Sequence, residues 1–341
     1  MPERKGKYTF ELTTHPAVLG YAAVAGKKEG EGPYGKYFDQ CHNDTTLGES
    51  TWEKAESRMQ NEAVSLALKK ANLKNTDVDC IFAGDLLNQC ISSTFGLRSL
   101  DIPFLGQFGA CSTMAQTLGI ASLFVESGAA GRAAAVTSSH FCSAERQYRY
   151  PLEYGGQRTP TAQWTATAAG SVILGKRLDN LNAKIGLNAV TFGRITDYGI
   201  KDPNNMGAAM APAAAQTLLD FLHDTGTSPQ DYDLILTGDL GFVGSQLLEE
   251  IMKKEGVDIV PVHNDCGVMI YDRRKQDVHA GGSGCGCSAA ILCSAILQQM
   301  DAGQLHRVVF LGTGALMSPT SSQQGESIPC VAHLVYLTAA G

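Results

Sequence analysis

Residues 107–113, Gln-Phe-Gly-Ala-Cys-Ser-Thr, place a thiol at the start of a helical pattern. The pattern runs to about residue 126 and is apolar nearly all round, which predicts a buried helix. Gly109 allows a tight turn, and Ser112 or Thr113 can cap the first helical turn. Cys111 would then lie at a helix N-terminus, where unpaired N–H groups and the macrodipole favour a thiolate or a bound anion. The open alternatives are a nucleophile, an anion pocket and a small buried thiol.

Other polar or small residues lie just past predicted strands. In α/β proteins, ligands bind at the carboxyl ends of strands, so such residues are candidates for ligand contact. Asp85 could instead be a turn carboxylate that bonds neighbouring N–H groups, and His140 could instead cap a loop. The candidate ligand-binding residues of this kind are Asp85, Ser139, His140 and Gly314.

Arginines concentrate in residues 146–160, a segment predicted to be a long irregular arm. A guanidinium is a planar fork that matches a carboxylate, so an arginine here suits an acidic ligand. Arg146 and Arg149 are therefore the candidate ligand-binding residues of the arm, which also carries Arg158. The alternative is that all three simply solvate an exposed arm.

Composition limits the class of protein. The chain has 341 residues, 44% hydrophobic and 18% charged, as in a globular protein with a large interior. A net charge of −7 without a basic aromatic stripe argues against nucleic-acid binding. No apolar run approaches the roughly 20 residues of a membrane helix, and residues 1–14 do not resemble a signal peptide. We expect a soluble or peripheral protein.

The ten cysteines are widely spaced, which favours a reduced compartment over a disulfide framework. Cys285-x-Cys287 lacks a second spaced pair, so we expect no metal site. We expect no cofactor either.

Strands alternate with helices along the chain, which predicts α/β layers. The clearest helix is amphipathic and spans residues 51–72. The predicted strands are residues 18–25, 79–83, 133–137, 168–174, 234–237 and 308–311.

The second half of the chain repeats the first. Residues 77–86 and 231–240 agree at six of ten positions, and both contain Gly-Asp-Leu. Cys111-Ser112 and Cys287-Ser288 are each followed by an apolar helix, an arginine and an apolar strand. These repeats predict two duplicated α/β halves, residues 1–178 and 179–341. We expect two sheets sandwiching two central buried helices.

These features resemble the thiolase superfamily. Residues 109–113 are similar to the nucleophile segment of its ketoacyl synthase branch, and residues 282–290 and 312–315 to its two glycine-rich turns. Within the superfamily, the chain is most similar to the thiolase-fold family of the apparatus that moves dipicolinic acid into bacterial spores. The segments that carry this resemblance are residues 83–89, 108–113, 137–140, 144–147, 149–151, 153–157, 209–215 and 281–285.

The chain departs from the catalytic pattern of the superfamily at the groups that activate the cysteine. Where the resemblance implies a histidine, the chain has Asp239, and a carboxylate there should raise the thiol pKa and repel an oxyanion. Cys285 or a glycine takes the place of the asparagine. His279 is the one candidate replacement, with a structural role as its alternative. We therefore expect a protein that is not an enzyme.

The resemblance implies a non-catalytic subunit that binds dipicolinic acid, alone or as its calcium chelate, and works with other subunits of a membrane complex. It also implies a peripheral location on the spore inner membrane and a homodimer, for which the strand at 133–137 is the predicted pairing edge. Asp85 is expected to orient His140 or an arginine, because nothing resembles a calcium loop. The alternatives are an acyltransferase that uses Cys111 and a purely structural subunit.

Overall fold

The computed structural model describes residues 1–148, 157–177 and 183–339. Its strands are β1 (Glu3–Lys5), β2 (Thr9–Glu11), β3 (Ala17–Ala25), β4 (Gln40–Cys41), β5 (Cys80–Gly84), β6 (Phe104–Gly106), β7 (Arg132–Ser139), β8 (Trp164–Thr165), β9 (Ala168–Gly175), β10 (Ile185–Phe192), β11 (Leu234–Thr237), β12 (His263–Asp265), β13 (Gly282–Ser283), β14 (Arg307–Ala315) and β15 (Cys330–Ala339). Its α-helices are α1 (Lys27–Gly30), α2 (Trp52–Lys70), α3 (Ile91–Leu97), α4 (Thr113–Ser127), α5 (Phe141–Tyr148), α6 (Met206–Thr225), α7 (Gly241–Lys254), α8 (Cys266–Met269), α9 (Cys285–Ile291), α10 (Leu297–Asp301) and α11 (Pro319–Gln323).

The two halves have the same strand order. Hydrogen bonding gives β3-β9-β7-β5-β6 in the first half and β10-β15-β14-β11-β12 in the second. In the first half β9 pairs antiparallel with both β3 and β7, and in the second half β15 pairs antiparallel with both β10 and β14. The remaining pairs of each half are parallel. The predicted duplication is confirmed. Between β3 and β10 the halves join through the single pair Ala17 and Gly186, so the two sheets form one thirteen-stranded array.

Two helical segments lie between the sheets of the two halves. Helix α4 contacts β5, β7 and β9 on one side and β10, β14 and β15 on the other. Helix α9 continues through a π-helical turn, Leu292–Ile296, into α10, and it contacts α4. Helix α2 covers the outer face of the first sheet, and α6 packs on the outer face of the second. The predicted sandwich of central buried helices is therefore confirmed.

The sequence of α4 explains its central place. Met114, Leu118 and Ala121 are completely buried, and Val125 continues the same helical face. Thr117 and Ser122 flank this face, are buried, and donate their hydroxyls to carbonyls about one turn earlier. Towards the far side of the helix Gly119 is buried as well. A helix that is apolar or small all round can pack against a sheet on each side.

The predicted dimer edge is wrong in its choice of strand. Strand β7, which contains residues 133–137, pairs with β5 on one side and with β9 on the other, so it is an interior strand. The strands at the two ends of the described sheet are β6 and β12. The order of strands along the chain does not give their order in the sheet, and β7 is inserted between β5 and β9.

Two other predictions need adjustment or fall outside the structure. The irregular arm predicted from residue 146 begins later, because α5 continues through Tyr148. The predicted boundary between residues 178 and 179 lies outside the described residues, between β9 and β10.

Candidate functional site

Cys111 lies on a tight turn between β6 and α4. The turn contains a single 3-10 turn, Ala110–Ser112, and Ala110 has a left-handed φ of 50°. The Ser112 hydroxyl donates to the Gly109 carbonyl at 2.6 Å, and the Thr113 hydroxyl donates to the Ala110 carbonyl at 2.6 Å. The predicted Ser112 cap is wrong, because its hydroxyl donates to a preceding carbonyl and does not accept from an N–H of the helix. Thr113 does accept from the Gly109 N–H, at 3.0 Å. These bonds fix where the thiol points.

Strand β14 supports this turn from behind. A Cβ added to Gly314 would lie 2.3 Å from the Gly109 carbonyl oxygen, so only glycine allows the strand to approach. Gly314 lies within β14, rather than past its end as predicted. Its role in the structure is close packing against the turn that carries Cys111.

A small cavity lies beside Cys111. Its volume is about 30 Å³, room for a water molecule or two. Most of its wall is apolar, and its few polar groups are hydroxyls. The lining residues are Leu86, Ala110, Cys111, Ala144, Tyr148, Thr165, Met206, Ser283, Ala315 and Met317.

The surroundings of Cys111 favour the neutral thiol. Burial is the main cause of a thiol pKa well above the ordinary value, and the Asp239 carboxylate and the Cys285 thiol add to the rise. The prediction that the helix N-terminus favours a thiolate is therefore wrong. The prediction that a carboxylate at Asp239 raises the thiol pKa is confirmed. Burial outweighs the partial charge of one helix end.

Asp239 is held firmly next to the thiol. One carboxylate oxygen accepts from the Gly284 N–H at 2.7 Å and from the Ser283 hydroxyl at 3.3 Å. The other accepts from the Thr313 hydroxyl at 2.9 Å, and the Cys111 thiol also bonds to this carboxylate. Burial raises the Asp239 pKa, although these donors pull it back. An ionised thiol here would face a second negative charge.

Asp85, the equivalent residue of the first half, is a buried turn carboxylate. It accepts from the Leu87 N–H at 2.9 Å and from the N–H and hydroxyl of Ser93, at 2.8 and 2.6 Å. The predicted orienting contact with His140 is wrong, because both carboxylate oxygens face these donors. Asp85 does not line the Cys111 cavity.

Ser139 and His140 are also engaged structurally. The Ser139 hydroxyl donates to the Ala166 carbonyl at 2.6 Å. The His140 Nε2 donates to the Thr45 carbonyl at 2.7 Å, and its Nδ1 accepts from the Cys142 N–H at 3.2 Å. Burial lowers the His140 pKa, so the ring is neutral at pH 7. Neither side chain lines the cavity.

The predicted arginines are dispersed. Arg146, on α5, forms an ion pair with Glu53 and lines a separate groove. Arg149 lies outside the described residues. Arg158 pairs with Asp277 at 2.6 Å. The structure therefore does not bring Arg146 to the Cys111 cavity.

His279, the candidate replacement for the missing histidine, bonds elsewhere. Its Nδ1 donates to the Thr159 carbonyl at 2.7 Å, and its Nε2 lies 3.1 Å from the Asp277 carboxylate. His279 therefore has the structural role that was its alternative.

Sequence reasoning missed three large side chains of the cavity wall, Tyr148, Met206 and Met317. The Tyr148 hydroxyl donates to the Leu86 carbonyl, which ties α5 to the segment after β5. The run of good helix formers in residues 144–147 was the available signal that α5 reaches this far. The two methionines lie far away in the chain, and no local pattern marks them.

Metal-binding clusters, membrane-spanning helices and disulfides are absent from the part of the chain that the structure describes. Within residues 1–148, 157–177 and 183–339, no cluster of three or more His, Cys, Asp or Glu side chains is arranged to hold a metal ion. In the same ranges no helix has both the length and the apolar character needed to cross a membrane. All ten cysteines are free thiols.

Comparison with known proteins gives a clear family match. The family model described as stage V sporulation protein AD matches residues 6–338. The chain is 45% identical over 337 residues to stage V sporulation protein AD of Bacillus subtilis (strain 168), covering 98% of each protein.

Solved structures give the fold. The chain matches 3-oxoacyl-(acyl-carrier-protein) synthase III from Aquifex aeolicus VF5 with a TM-score of 0.57 and 15% identity, over 95% of this chain and 99% of that one. It matches Xanthomonas campestris OleA, with bound lauric acid and lauroyl-CoA, with a TM-score of 0.60 and 12% identity, over 95% and 99% of the two chains. These likenesses confirm the predicted thiolase-like fold.

Proposed function

The chain belongs to the stage V sporulation protein AD family, and from this premise we propose that it is a non-catalytic subunit that binds dipicolinic acid. In this role it helps the uptake of dipicolinic acid, alone or as its calcium chelate, into the developing bacterial spore. The observation that carries the non-catalytic part is the Asp239 carboxylate beside Cys111. The thiol has neither a neutral base nor an electropositive neighbour in this contact.

The shape and chemistry of the Cys111 cavity support a ligand with a flat apolar body. Its walls include the unbranched side chains of Met206 and Met317, which can change rotamer to widen it. Hydroxyls of Tyr148 and Ser283 are among its lining groups, and Ala110 and Cys111 of the turn before α4 complete this part of the wall. Because the closed volume is about 30 Å³, binding must open the cavity.

We place the protein at the periphery of the spore inner membrane, docked on other subunits of the stage V sporulation protein A membrane complex. We also propose a homodimer that pairs the two copies of β6. Phe104 and Leu105 on this end strand and the nearby Phe108 are exposed, and a free strand edge with apolar side chains favours pairing. Sedimentation at micromolar protein tests this. A monomer there contradicts it.

The direct test of ligand binding is isothermal titration with dipicolinate, with benzoate as the control. Cys111→Trp fills the cavity and should abolish binding at this site, whereas Cys111→Ala removes only a small side chain and should weaken it mildly. If dipicolinate binds no better than benzoate, or if Cys111→Trp leaves its affinity unchanged, this site does not hold the ligand.

The second candidate is an acyltransferase that uses Cys111. The left-handed Ala110 and the hydroxyls that brace the turn favour it, because strained turns are common at reactive side chains. An acyl adduct on Cys111 distinguishes the two candidates.

A further inference from the structure

A groove much larger than the Cys111 cavity lies between the start of α2, the start of α3 and helix α5. Its volume is about 620 Å³, within the range of roughly 300–1,000 Å³ that is typical of small-molecule sites. Its floor is partly apolar and its rim is polar and charged. The lining residues are Thr51, Glu53, Lys54, Ser57, Leu87, Asn88, Gln89, Ile91, Phe95, Ser143, Arg146 and Gln147.

The lining is complementary to an anion with an apolar ring. Leu87, Ile91 and Phe95 offer apolar surface, and Ile91 and Phe95 are large hydrophobic side chains that remain exposed. Lys54 and Arg146 bring two positive charges against the single carboxylate of Glu53. A guanidinium already held by Glu53 can still present donors of its planar fork to a carboxylate. The groove therefore carries a net positive charge beside an apolar floor.

The backbone at the edge of the groove is strained. Gln89 and Cys90 are consecutive non-glycine residues with φ of 54° and 51°, and Gln89 lines the groove. The turn is braced by the Asn88 N–H, which donates to the Gln147 side chain at 3.1 Å. Strain held by surrounding bonds is more common at binding sites than elsewhere.

The layer behind the groove contains two buried carboxyl groups, Glu56 and Asp85. The hydroxyl of Ser143, a lining residue, donates to the buried Glu56 carboxyl at 3.0 Å. Burial and the nearby Asp85 carboxylate raise the Glu56 pKa to about 8, so the group is mostly neutral at pH 7. The charge that remains behind the lining is that of Asp85, and three donors from Leu87 and Ser93 already satisfy it.

A wall one residue layer thick separates the groove from the Cys111 cavity. Leu86 lines the cavity, whereas the next residue, Leu87, lines the groove. On α5, Tyr148 lines the cavity, whereas Gln147 lines the groove. The side chains of Gln147 and Tyr148 both donate to the Leu86 carbonyl, which fixes the wall.

We propose that this groove is a second binding site, for a small aromatic carboxylate, in which Lys54 and Arg146 hold the carboxylate and Phe95 packs on the ring. The choice of dipicolinate as the probe rests on the proposed function. The site itself is separate from the Cys111 cavity and takes its ligand with that cavity closed.

Trp52 provides a local reporter. It lies under Arg146, whose guanidinium carbon is 5.4 Å from the ring centroid, and the chain contains only one other tryptophan. Trp164→Phe keeps an aromatic ring against Phe141, on which Trp164 stacks, and leaves Trp52 as the sole emitter. The experiment follows Trp52 emission in this background, excited at the red edge of indole absorption, during titration with dipicolinate and with benzoate.

Lys54→Glu is the test variant because it should spare the fold. Thr51 is the N-cap of α2, and its hydroxyl accepts from the Lys54 N–H. A glutamate at residue 54 would complete a capping box and suit the helix N-terminus. Lys69→Glu makes the same charge change at an exposed position near the other end of α2 and is the matched control.

We expect a saturable change in Trp52 emission with dipicolinate, about tenfold weaker apparent affinity in Lys54→Glu, and wild-type affinity in Lys69→Glu. Cys111→Phe, which fills the cavity, should leave the response intact. A silent Trp52, an unchanged affinity in Lys54→Glu, or loss of the response in Cys111→Phe overturns the second site. Emission that depends on protein concentration and ignores ligand would assign the groove to a second copy, which also overturns it.

The two proposals fail separately. If Cys111→Trp abolishes the heat of dipicolinate binding and Trp52 emission does not respond to the ligand, the Cys111 site is supported and the groove site is contradicted. A Trp52 response with heat that Cys111→Trp does not change keeps the groove and removes the Cys111 site.

Discussion

The Gly-Asp-Leu turn occurs once in each half of the molecule, after β5 and after β11, and its carboxylate meets different partners in the two places. Both oxygens of Asp85 accept from backbone N–H groups, of Leu87 and Ser93. In Asp239 one oxygen accepts from the Gly284 N–H, but the other accepts from the Thr313 hydroxyl, and the Cys111 thiol joins this carboxylate.

The difference separates a structural carboxylate from one that acts on its neighbour. Backbone N–H groups cannot reverse, so Asp85 is fixed as an acceptor on both oxygens. The Thr313 hydroxyl can turn from donor to acceptor, so the second oxygen of Asp239 is less constrained. Duplication supplied the same turn twice, and only the copy in the second half bears on Cys111.

The largest effect expected at a single pH is the difference in unfolding free energy between the asparagine variants of Asp85 and Asp239. Asp85→Asn places an NH2 group against a backbone N–H and should lower the free energy of unfolding by about 3 kcal/mol. Asp239→Asn, with the same change of shape, should cost less than about 1 kcal/mol, because the Thr313 hydroxyl can accept from the new amide. Urea unfolding of the two variants measures this. Equal losses would mean that the two carboxylates have equivalent environments.

The second effect concerns Glu56, which lies beside Asp85. Its pKa in the folded protein is about 8, above the ordinary 4.5, because of burial and the Asp85 charge. The folded state thus keeps a proton that the unfolded state loses, so its contribution to stability falls as pH rises from about 4.5 to 8. Glu56→Gln should reduce this loss by up to about 5 kcal/mol, since each pKa unit corresponds to about 1.4 kcal/mol.

Urea unfolding at several pH values checks this prediction. The control is Glu250→Gln, which removes an exposed carboxyl on α7 and should leave the pH profile as in the wild type. A Glu56→Gln profile with the wild-type slope would show that Glu56 titrates normally and that the pair with Asp85 is not coupled.

A smaller effect sharpens the role of Asp239. Asp239→Asn removes the negative charge that raises the Cys111 pKa, whereas the effect of burial remains. The rate of Cys111 alkylation by iodoacetamide at neutral pH should rise roughly tenfold. Peptide mass spectrometry can compare Cys111 with the exposed Cys41, whose rate should not change. An unchanged Cys111 rate would show that Asp239 does not control the thiol.

The smallest effect removes one hydroxyl donor from each carboxylate. Ser93→Ala deletes the 2.6 Å bond to Asp85, and Thr313→Val deletes the 2.9 Å bond to Asp239. Each should cost about 1 kcal/mol of unfolding free energy. A loss above about 2 kcal/mol in Thr313→Val alone would mean that the Thr313 hydroxyl is a fixed donor, contrary to the comparison.

The fold was largely predictable because the two halves still resemble each other in sequence. The agreement of residues 77–86 with 231–240 fixed two equivalent strand ends, and the apolar patterns located helices α2 and α4 to within a residue or two. Strand order within each half was not predictable. Whether β7 is an end strand depends on which neighbours it meets, and this is set by packing between distant segments.

The site was less predictable, for reasons that particular residues show. His140 is held by the carbonyl of Thr45, far away in the chain, and burial keeps its pKa low, so its position after β7 did not reveal its role. Asp85 turns towards Ser93 because Gln89 and Cys90 adopt left-handed conformations that their residue types do not favour. The place of Asp239 next to Cys111 was accessible only because the resemblance implied a catalytic group there.

The most direct test of the central claim is incubation of the wild-type protein with acetyl- or malonyl-coenzyme A, followed by intact-mass measurement. Burial and Asp239 raise the pKa of the Cys111 thiol, and among the described residues no histidine lines its cavity, so we expect no mass increase. An acyl adduct on the wild type that is absent in Cys111→Ala would contradict the claim and establish Cys111 as a nucleophile.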